Sequence, residues 1–470
     1  MPIANPTLDR RQLLYRWANG FGGLALLGLA SCSAKREQPD ALAAPAAGPR
    51  NPAKSVIFLY MDGGPSQIDL FDPKPRLARE HGQQIKIPIV HRMSSDTVFK
   101  SPFKFARYGE SGADVSELLP NLASCVDDLC IIRSMVSDSM EHATSNLIMH
   151  TGSPLGGRPS MGSWISYGLG NICEDLPGYV VMHGGKLPHG GVQVFDSAFL
   201  PPEFRSSIFS TVESKPFGSI ERWEPTPELQ VSKLAARDQL NRLAQQARGE
   251  LTELDALAGN YELAFRMQTS LPMLLDCSDE TAETHRLYGL DDPATETYGR
   301  QCLIARKLVE KQVRFVVLVP PVVDADRWDQ HSNLEDGHRR NTLATDKPIA
   351  GLLSDLKRRG LLSQTIVLWG GEFGRTPTAE FQDGQAPGRE HNPYGFTMWM
   401  AGGGVRGGIR YGTTDEYGYH AVENPVHVHD LHATLLHLLG IDHTQLTFQY
   451  SGRDFRLTDV YGRVVHDLLA

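Results

Sequence analysis

Three features that often reveal a function are missing from this sequence of 470 residues. Beyond its N-terminal segment it has no apolar run of about 20 residues, which excludes a bundle of membrane-spanning helices. It has no basic excess, because 46 Lys and Arg stand against 55 Asp and Glu, and the formal charge of −9 argues against a nucleic-acid-binding protein. It has no Cys-x-x-Cys pair, so the usual spacing of a cysteine zinc site is absent. With 41% hydrophobic and 21% charged residues, the composition is that of a globular protein.

Residues 1–32 are typical of an export signal. Arg10 and Arg11 precede a short, glycine-rich and moderately apolar stretch over 17–29, which favours a twin-arginine signal over a membrane span. An amphipathic helix with a chance arginine pair is the alternative, but the stretch has no polar face. The stretch ends in Leu-Ala-Ser-Cys, which resembles a bacterial lipobox with Cys32 as the lipidated first residue of the mature protein; cleavage of a plain signal after small residues stays open. We therefore expect an exported protein, periplasmic or at the cell surface, that is attached to the membrane only through Cys32.

Residues 33–53 connect this signal to the rest of the chain. They contain seven Ala and four Pro, which is typical of a flexible tether. Of the six cysteines, five remain if Cys32 is lipidated, so at least one is unpaired within the chain. The spacing of Cys125 and Cys130 permits a disulfide but does not establish one.

From residue 54 onward, short apolar runs alternate with helical patterns. We expect buried strands at 54–61, 130–133, 179–182, 313–319, 365–369 and 396–400. Helical patterns over 299–311 and 347–359 each precede a strand, and 228–268 predicts one long helix, or two, with an apolar face packed on the sheet. The alternation predicts an α/β fold in which helices cover both faces of a mostly parallel sheet. Ligands of such sheets bind beyond the carboxyl ends of the strands.

Acidic and histidine side chains follow several of these apolar runs. Asp329 and His331 are two residues apart, so they point the same way in an extended segment. The candidate ligands of this kind are Asp62, Asp329, His331, Glu372 and His391. Each of them alone is more often a turn, cap or core residue, but a parallel sheet brings such segments together. Mixed carboxylate and imidazole ligands predict one or two divalent ions of zinc, manganese or iron, rather than calcium or magnesium, which prefer oxygen ligands.

Six motifs in a fixed order resemble those of a large bacterial family of exported, sulfatase-like proteins of unknown function, related to the alkaline phosphatase superfamily. They are DGGPSQIDLFDPKP at 62–75, WDQHSN at 328–333, GEFGRTP at 371–377, GREH at 388–391, AGGGV at 401–405 and DLHATLL at 430–436. The resemblance spans roughly residues 54–465. It implies one sulfatase-like domain over 54–470, a three-layer α/β/α sandwich with metals at the carboxyl edge of its sheet.

The resemblance also exposes departures at the reaction centre. In sulfatases the nucleophile opens a helix as Cys-x-Pro-Ser-Arg, whereas this chain has His142 at that position and no arginine at Asn146. Glu372 and Phe373 stand where relatives often carry Asp-His, so one imidazole ligand is missing. The resemblance therefore implies hydrolysis without a formylglycine nucleophile.

The resemblance assigns the remaining roles as follows. His142 would be a general base or a further metal ligand, and its helix start would offer free backbone N–H groups to an anionic ester. Arg375 would hold the anion, although an arginine–carboxylate pair is the alternative. We expect attack by water rather than a covalent ester, with Thr144 as the alternative nucleophile.

These observations predict an exported metal-dependent hydrolase of sulfate or phosphate esters. Its partner would be an anionic ester, with a sulfated polysaccharide as the natural substrate outside a cell, and not a nucleic acid. The alternative is a lipid-anchored, non-catalytic carbohydrate- or partner-binding protein that retains the fold. A metal-dependent mutase or transferase would share the same site. The sequence indicates no oligomeric state.

Overall fold

The computed structural model describes residues 52–470 except 89–94, 214–221, 223, 249–251 and 324–326. The chain separates into two units, Met1–Ala47 and Gly48–Ala470, and all of the described residues belong to the second unit. The expected export signal, Cys32 and most of the tether therefore lie outside the described residues. Within the described part, none of the helices combines the length and apolarity that crossing a membrane requires.

A central sheet of nine strands forms the middle layer. Its strands are β1 (Ser55–Tyr60), β2 (Leu129–Val136), β3 (Tyr179–Gly184), β4 (Ser207–Ser210), β5 (Phe315–Pro321), β6 (Thr365–Gly370), β7 (Phe396–Ala401), β8 (Ile409–Tyr411) and β9 (Val426–His427). The order across the sheet is β8-β2-β7-β6-β1-β5-β3-β4, and β9 also pairs with β2. Every pair is parallel except the two that β7 makes, with β2 and β6.

Helices pack on both faces of this sheet. The helices of the described residues, in chain order, are α1 (Gln67–Leu70), α2 (Pro75–Arg79), α3 (His142–Thr151), α4 (Met161–Leu169), α5 (Pro227–Arg248), α6 (Thr252–Leu275), α7 (Ala282–Tyr288), α8 (Glu296–Glu310), α9 (Leu334–Arg358) and α10 (Val428–Leu438). Short 3₁₀ helices lie at Leu122–Asp128, Gly191–Phe195, Pro202–Phe204, Leu362–Gln364 and His466–Leu468. Two-stranded ladders pair Phe105–Tyr108 with Ala113–Ser116, Gly374–Arg375 with His391–Asn392, Thr413–Thr414 with Ala421–Glu423, and Phe448–Tyr450 with Arg453–Phe455.

The buried strand β1 shows how the layers form. Successive side chains of a strand point to opposite faces. Ile57 and Leu59 join a cluster with α8 and α9, whereas Val56 and Phe58 join a second cluster with α3, α4 and α10. All four side chains are fully buried, so both faces of the strand are core. The fold is thus the predicted three-layer α/β/α sandwich around a mostly parallel sheet.

The expectations for individual elements fare differently. All six predicted strands are present, and α8 and α9 cover the two predicted helical patterns except for their last residues, 311 and 359. The segment 228–268 forms two helices, α5 and α6, but the expected packed face is wrong for α5, since Leu240 and Leu243 are 67% and 55% exposed. Helix α5 lies against α6, and helical spacing identifies an apolar face without identifying what covers it. Cys125 and Cys130 are both free thiols.

Candidate metal centre

Three neighbouring parallel strands bring the predicted segments to one edge of the sheet. Strands β6, β1 and β5 lie side by side, and their carboxyl ends lead to Glu372, Asp62 and Asp329 respectively. Gly63 allows the segments after β1 and β5 to approach closely. Its φ is +110°, and a Cβ on it would lie 2.7 Å from the backbone nitrogen of Asp329, so a larger residue does not fit there.

His391 reaches the same place through a small ladder. The segment after β6 forms the two-residue strand Gly374–Arg375, which pairs antiparallel with His391–Asn392. In this register His391 is the direct partner of Arg375. The two segments thus deliver an imidazole and a guanidinium side by side, next to Asp329.

Three imidazoles converge on one carboxylate. Oδ1 of Asp329 lies 2.9 Å from Nε2 of His331 and 3.0 Å from Nε2 of His391. Its Oδ2 lies 3.0 Å from Nε2 of His142, the first residue of α3. All four ligand atoms lie within 4.8 Å of one another, and the residues that carry them are buried or half-buried. We name these four residues the Asp329 cluster.

Each imidazole of the cluster is oriented by a hydrogen bond from its Nδ1 atom, on the side of the ring away from Asp329. Nδ1 of His142 donates to Glu372 (2.7 Å), Nδ1 of His331 to Glu380 (2.6 Å) and Nδ1 of His391 to the carbonyl of Met140 (2.7 Å). Carboxylates and carbonyls only accept, so each of these contacts places a ring proton on Nδ1, and a second proton on Nε2 has to leave before a metal binds. Each Nε2 is then left to face the cluster, which is the arrangement that histidine ligands of metals show.

The donor set fits a transition metal. Neutral imidazole nitrogens and one carboxylate oxygen are the ligands that zinc, manganese and iron take in proteins. Bonds of about 2.0–2.2 Å at tetrahedral angles would separate neighbouring ligand atoms by about 3.3 Å. The distance of 3.0 Å between the Nε2 atoms of His331 and His391 is slightly shorter, so a small outward movement would admit an ion.

The charges of the cluster are strongly coupled. Burial lowers the pKa of His142, but its hydrogen bonds to Asp329 and Glu372 outweigh this and raise that pKa to about 10. The pKa of His331 is raised to about 9, because its bonds to Asp329 and Glu380 likewise outweigh burial. Burial dominates at His391 and lowers its pKa to about 4. A metal that binds here must therefore displace protons.

Two of the predicted ligands lie beside the cluster rather than in it. Glu372 is fully buried and accepts hydrogen bonds from His142, from the Gly63 amide (3.0 Å) and from the Tyr60 hydroxyl (3.2 Å). Asp62 makes an ion pair with Arg327 and accepts a bond from the Asn146 amide (3.4 Å).

The pKa of Asp62 follows from this surrounding. Burial, reinforced by the nearby charge of Glu372, raises it to about 6.

Of the five predicted ligands, the structure brings Asp329, His331 and His391 together, and His142 joins them.

Arg375 lies inside the protein. Its guanidinium is fully buried and donates to the carbonyls of Gly64 (2.9 Å) and Arg389 (3.0 Å) and to Oδ1 of Asp329 (2.6 Å). It thus fixes the position of Asp329. An anion bound at the surface of the cluster would not contact this guanidinium. The contacts of Arg375 are therefore those of the alternative interpretation, an arginine–carboxylate pair.

The start of helix α3 differs from the expectation of free N–H groups. Glu141 is the N-cap, and its carboxylate accepts from the amides of Ala143 (3.1 Å) and Thr144 (2.8 Å). The expected anion site at this helix start is therefore wrong, because an acidic side chain already occupies it. Asn146, one turn after His142, lies on the same face of the helix.

The two hydroxyls next to His142 point to other surroundings. Thr144 lies about 200° around the helix from His142. Ser145 is fully buried and donates to the carbonyl of Ser139 (2.9 Å). Neither arrangement brings a hydroxyl to the Asp329 cluster.

Sequence reasoning overlooked several residues around the cluster. Glu380 carries no motif and becomes relevant only because it bonds to His331. Arg327 had a weak signal, since it immediately precedes the Trp-Asp-Gln-His motif. Tyr60 belongs to the predicted apolar strand 54–61, yet its one hydroxyl proton lies within hydrogen-bond distance of two acceptors, Asn146 Oδ1 and Glu372.

Comparison with known proteins assigns the chain to a family. The family described as "Protein of unknown function (DUF1501)" matches residues 53–469, most of the 470-residue sequence, so the chain belongs to that family. A search of curated proteins finds no match.

Three solved structures illustrate what the chain is similar to. Ps i-CgsB in complex with k-i-k-neocarrahexaose is 11% identical, with 83% of this chain and 72% of that chain covered and a TM-score of 0.36. The PsFucS1 sulfatase from Pseudoalteromonas sp. is 13% identical, with 83% and 68% covered and a TM-score of 0.36. Alkaline phosphatase from the Antarctic bacterium TAB5 is 12% identical, with 83% and 98% covered and a TM-score of 0.32.

Proposed function

We propose that this member of the DUF1501 family is a metal-dependent hydrolase of sulfate or phosphate esters. The observation that supports it most is the convergence of three Nε2 atoms on Asp329, each ring held from behind by an acceptor. A structural histidine needs no such convergence. Three imidazoles and a carboxylate, oriented at the carboxyl edge of a parallel sheet, are the elements of a catalytic metal site.

The chain's own residues divide the work as follows. His142, Asp329, His331 and His391 would hold one ion of zinc, manganese or iron, which supplies a Lewis acid for the ester oxygen and for the attacking water. Arg375 keeps Asp329 in place from the buried side. The side chains of Asp329 and His331 are about a quarter exposed, so the ester would approach from their side.

Water is the attacking group in this proposal, and no ester forms on the chain. The positions of Thr144 and Ser145 support this, because Thr144 lies about 200° around the helix from His142 and Ser145 donates to a backbone carbonyl.

A polysaccharide ester is the substrate class that export from the cell favours. Export itself is a separate proposal with its own test.

Export and anchoring are tested by fractionation. We expect the wild-type protein in the membrane fraction and a Cys32→Ser variant released from it, because acyl chains on Cys32 would be the attachment. Replacing both Arg10 and Arg11 with Lys should block export, since the arginine pair is the recognised element. A soluble wild-type protein, or cleavage downstream of Cys32, would contradict the anchoring proposal.

The hydrolase proposal is tested by metal content and turnover together. Purified protein is loaded with zinc, manganese or iron and assayed on aryl sulfate and aryl phosphate esters. We expect Asp329→Asn and His331→Ala to lose both bound metal and turnover. His427→Ala is the matched control, since His427 also lies against a carboxylate, Asp138 (3.1 Å), but outside the cluster.

Two outcomes would contradict the proposal in different ways. Unchanged metal content in both Asp329→Asn and His331→Ala would remove the cluster as the metal site. Bound metal without turnover of either ester class would instead favour the non-catalytic binding protein, which retains the fold and the ion.

A further inference from the structure

A second group of buried charges lies beside the Asp329 cluster. Glu372 is 0%, Asp62 4% and Arg327 7% exposed, so none of these charges is solvated by bulk water. Buried charges are tolerated when they are paired and hydrogen-bonded. Glu372 has the His142 ring as its partner, and Asp62 has the guanidinium of Arg327.

Arg327 is held firmly in this position. One terminal nitrogen contacts Asp62 and the other donates to the carbonyl of Lys186. Its backbone has a φ of +51°, which side-chain-bearing residues rarely adopt, and its carbonyl accepts from the Asn341 amide (2.5 Å). A strained backbone that the surroundings maintain is typical of functional sites.

The groups around Asp62 are otherwise those of a metal site. Two carboxylates, Asp62 and Glu372, lie next to the Asn146 amide and the Tyr60 hydroxyl, an oxygen-rich set at the end of β1. In a centre with two metals, this set would hold the second ion. Arg327 already occupies one Asp62 oxygen, and a guanidinium cannot give up its charge. A divalent ion here would face a fixed positive charge and lack a ligand.

We propose that the centre binds one metal ion, and that the guanidinium of Arg327, paired with Asp62, takes the place of a second. This inference rests on the proposed metal site in the Asp329 cluster. The Nε atom of Arg327 is buried and has no acceptor among the described residues. The Nε–H is therefore unpaired among these residues, and the guanidinium places beside the cluster the fixed positive charge that a second metal would otherwise offer an anionic ester.

The acidic residues on the other side of His331 do not make an alternative second site. Nδ1 of His331 lies 2.6 Å from Glu380 and 3.7 Å from Glu390, and the three residues could by distance alone hold an ion. The same ring, however, presents Nε2 to Asp329. With Nε2 as a ligand, the contact of Nδ1 with Glu380 is the ordinary carboxylate–histidine–metal arrangement.

The number of metal ions per chain tests this inference. Wild-type protein saturated with manganese and freed of excess ion should contain one ion per chain by elemental analysis. Asp62→Asn should also contain one, because Asp62 is not a ligand, whereas Asp329→Asn should contain none. Arg327→Met frees the oxygens of Asp62 and should contain two, and the double variant Arg327→Met with Asp62→Asn should return to one.

The control is Arg314→Met, which removes another buried arginine, one that donates to backbone carbonyls only. It should stay at one ion per chain. A second readout comes from electron paramagnetic resonance, because two manganese ions about 4 Å apart couple magnetically, and Arg327→Met alone should show that coupling.

The outcomes separate this inference from the proposed function. Two ions in wild-type protein, loss of metal in Asp62→Asn, or a single ion in folded Arg327→Met would each overturn it. If Arg327→Met does not fold, the wild-type and Asp62→Asn counts still decide. No ion in wild-type protein would instead refute the metal site itself, and one ion without ester turnover would refute the hydrolase while leaving this inference in place.

Discussion

We predict that His150 makes the stability of this protein sensitive to acid. It lies on helix α3, is fully buried, and is surrounded by the rings of Phe58, Tyr60 and Phe195, with centroids 5.5, 4.4 and 5.0 Å away. Neither of its ring nitrogens has a hydrogen-bond partner among the described residues. Burial in this apolar surrounding disfavours the charged ring and lowers the pKa of His150 to about 3.

The sign and size of the effect follow from proton linkage. In the unfolded chain the pKa returns to 6.5, so below that pH the unfolded state binds a proton that the folded state does not. The free energy of unfolding must therefore fall as the pH decreases from 6.5 towards 3. Between pH 7 and pH 5 this one side chain costs about 2 kcal/mol, since each pH unit below 6.5 is worth about 1.4 kcal/mol.

His150→Phe should remove this contribution. The larger ring adds a packing cost of about 1–3 kcal/mol, which is the same at every pH. Urea unfolding of metal-free protein at pH 5, 6, 7 and 8, followed by tryptophan fluorescence, measures the slope. Between pH 7 and pH 5 the variant should lose about 2 kcal/mol less than wild type.

A control separates packing from proton binding. Phe195→Leu alters the same pocket without removing a titrating group, so its curve against pH should run parallel to that of wild type. His432, with a pKa that burial lowers to about 3, remains in every variant and keeps part of the acid sensitivity. Parallel curves for wild type and His150→Phe would refute the reasoning.

Three further predictions concern the surroundings of the centre. Asp69 and Arg389 form a fully buried ion pair (2.8 Å), so Asp69→Ala should lower the free energy of unfolding by about 3–5 kcal/mol, and adding Arg389→Met should recover part of it in urea titrations. Glu380→Ala removes the acceptor behind a histidine ligand and should weaken metal affinity about 10–100-fold in competition with a chelator. Gly63→Ala should abolish metal binding, because its Cβ collides with ligand-bearing backbone, whereas Gly157→Ala, which has a φ of +81° but open space, should keep the metal.

The fold could be predicted because the burial of a strand determines the residue types of that same stretch of sequence. A strand that is core on both faces must be apolar throughout, and β1, β5 and β6 are such runs. The direction of β7 has no such effect on its residue types: its apolar run is as continuous as theirs, yet it lies antiparallel between β2 and β6. Direction depends on how the chain returns to the sheet, which the residues of one strand do not encode.

The site could be predicted only in part, for a similar reason. Asp329 and His331 share a short segment, so their spacing already indicates a common face. The pairing of Asp62 with Arg327 joins segments 265 residues apart, and no local pattern distinguishes an acid that binds a metal from one that binds a guanidinium. His142 could be predicted only from its correspondence to the position of the sulfatase nucleophile.

The acidic residues near the cluster are of two kinds, metal ligands and hydrogen-bond acceptors of the histidine ligands, and this division has a physical cause. A neutral imidazole offers one nitrogen as a metal ligand only when its proton is held on the other, so each histidine ligand needs an acceptor behind it. Three histidines require three acceptors, and Glu372, Glu380 and the Met140 carbonyl take these positions. An acidic residue near a histidine cluster is therefore as much a candidate acceptor as a candidate ligand. Treating every acid at this sheet edge as a ligand gives two ions, whereas assigning the acceptors first leaves Asp329 as the carboxylate ligand and gives one.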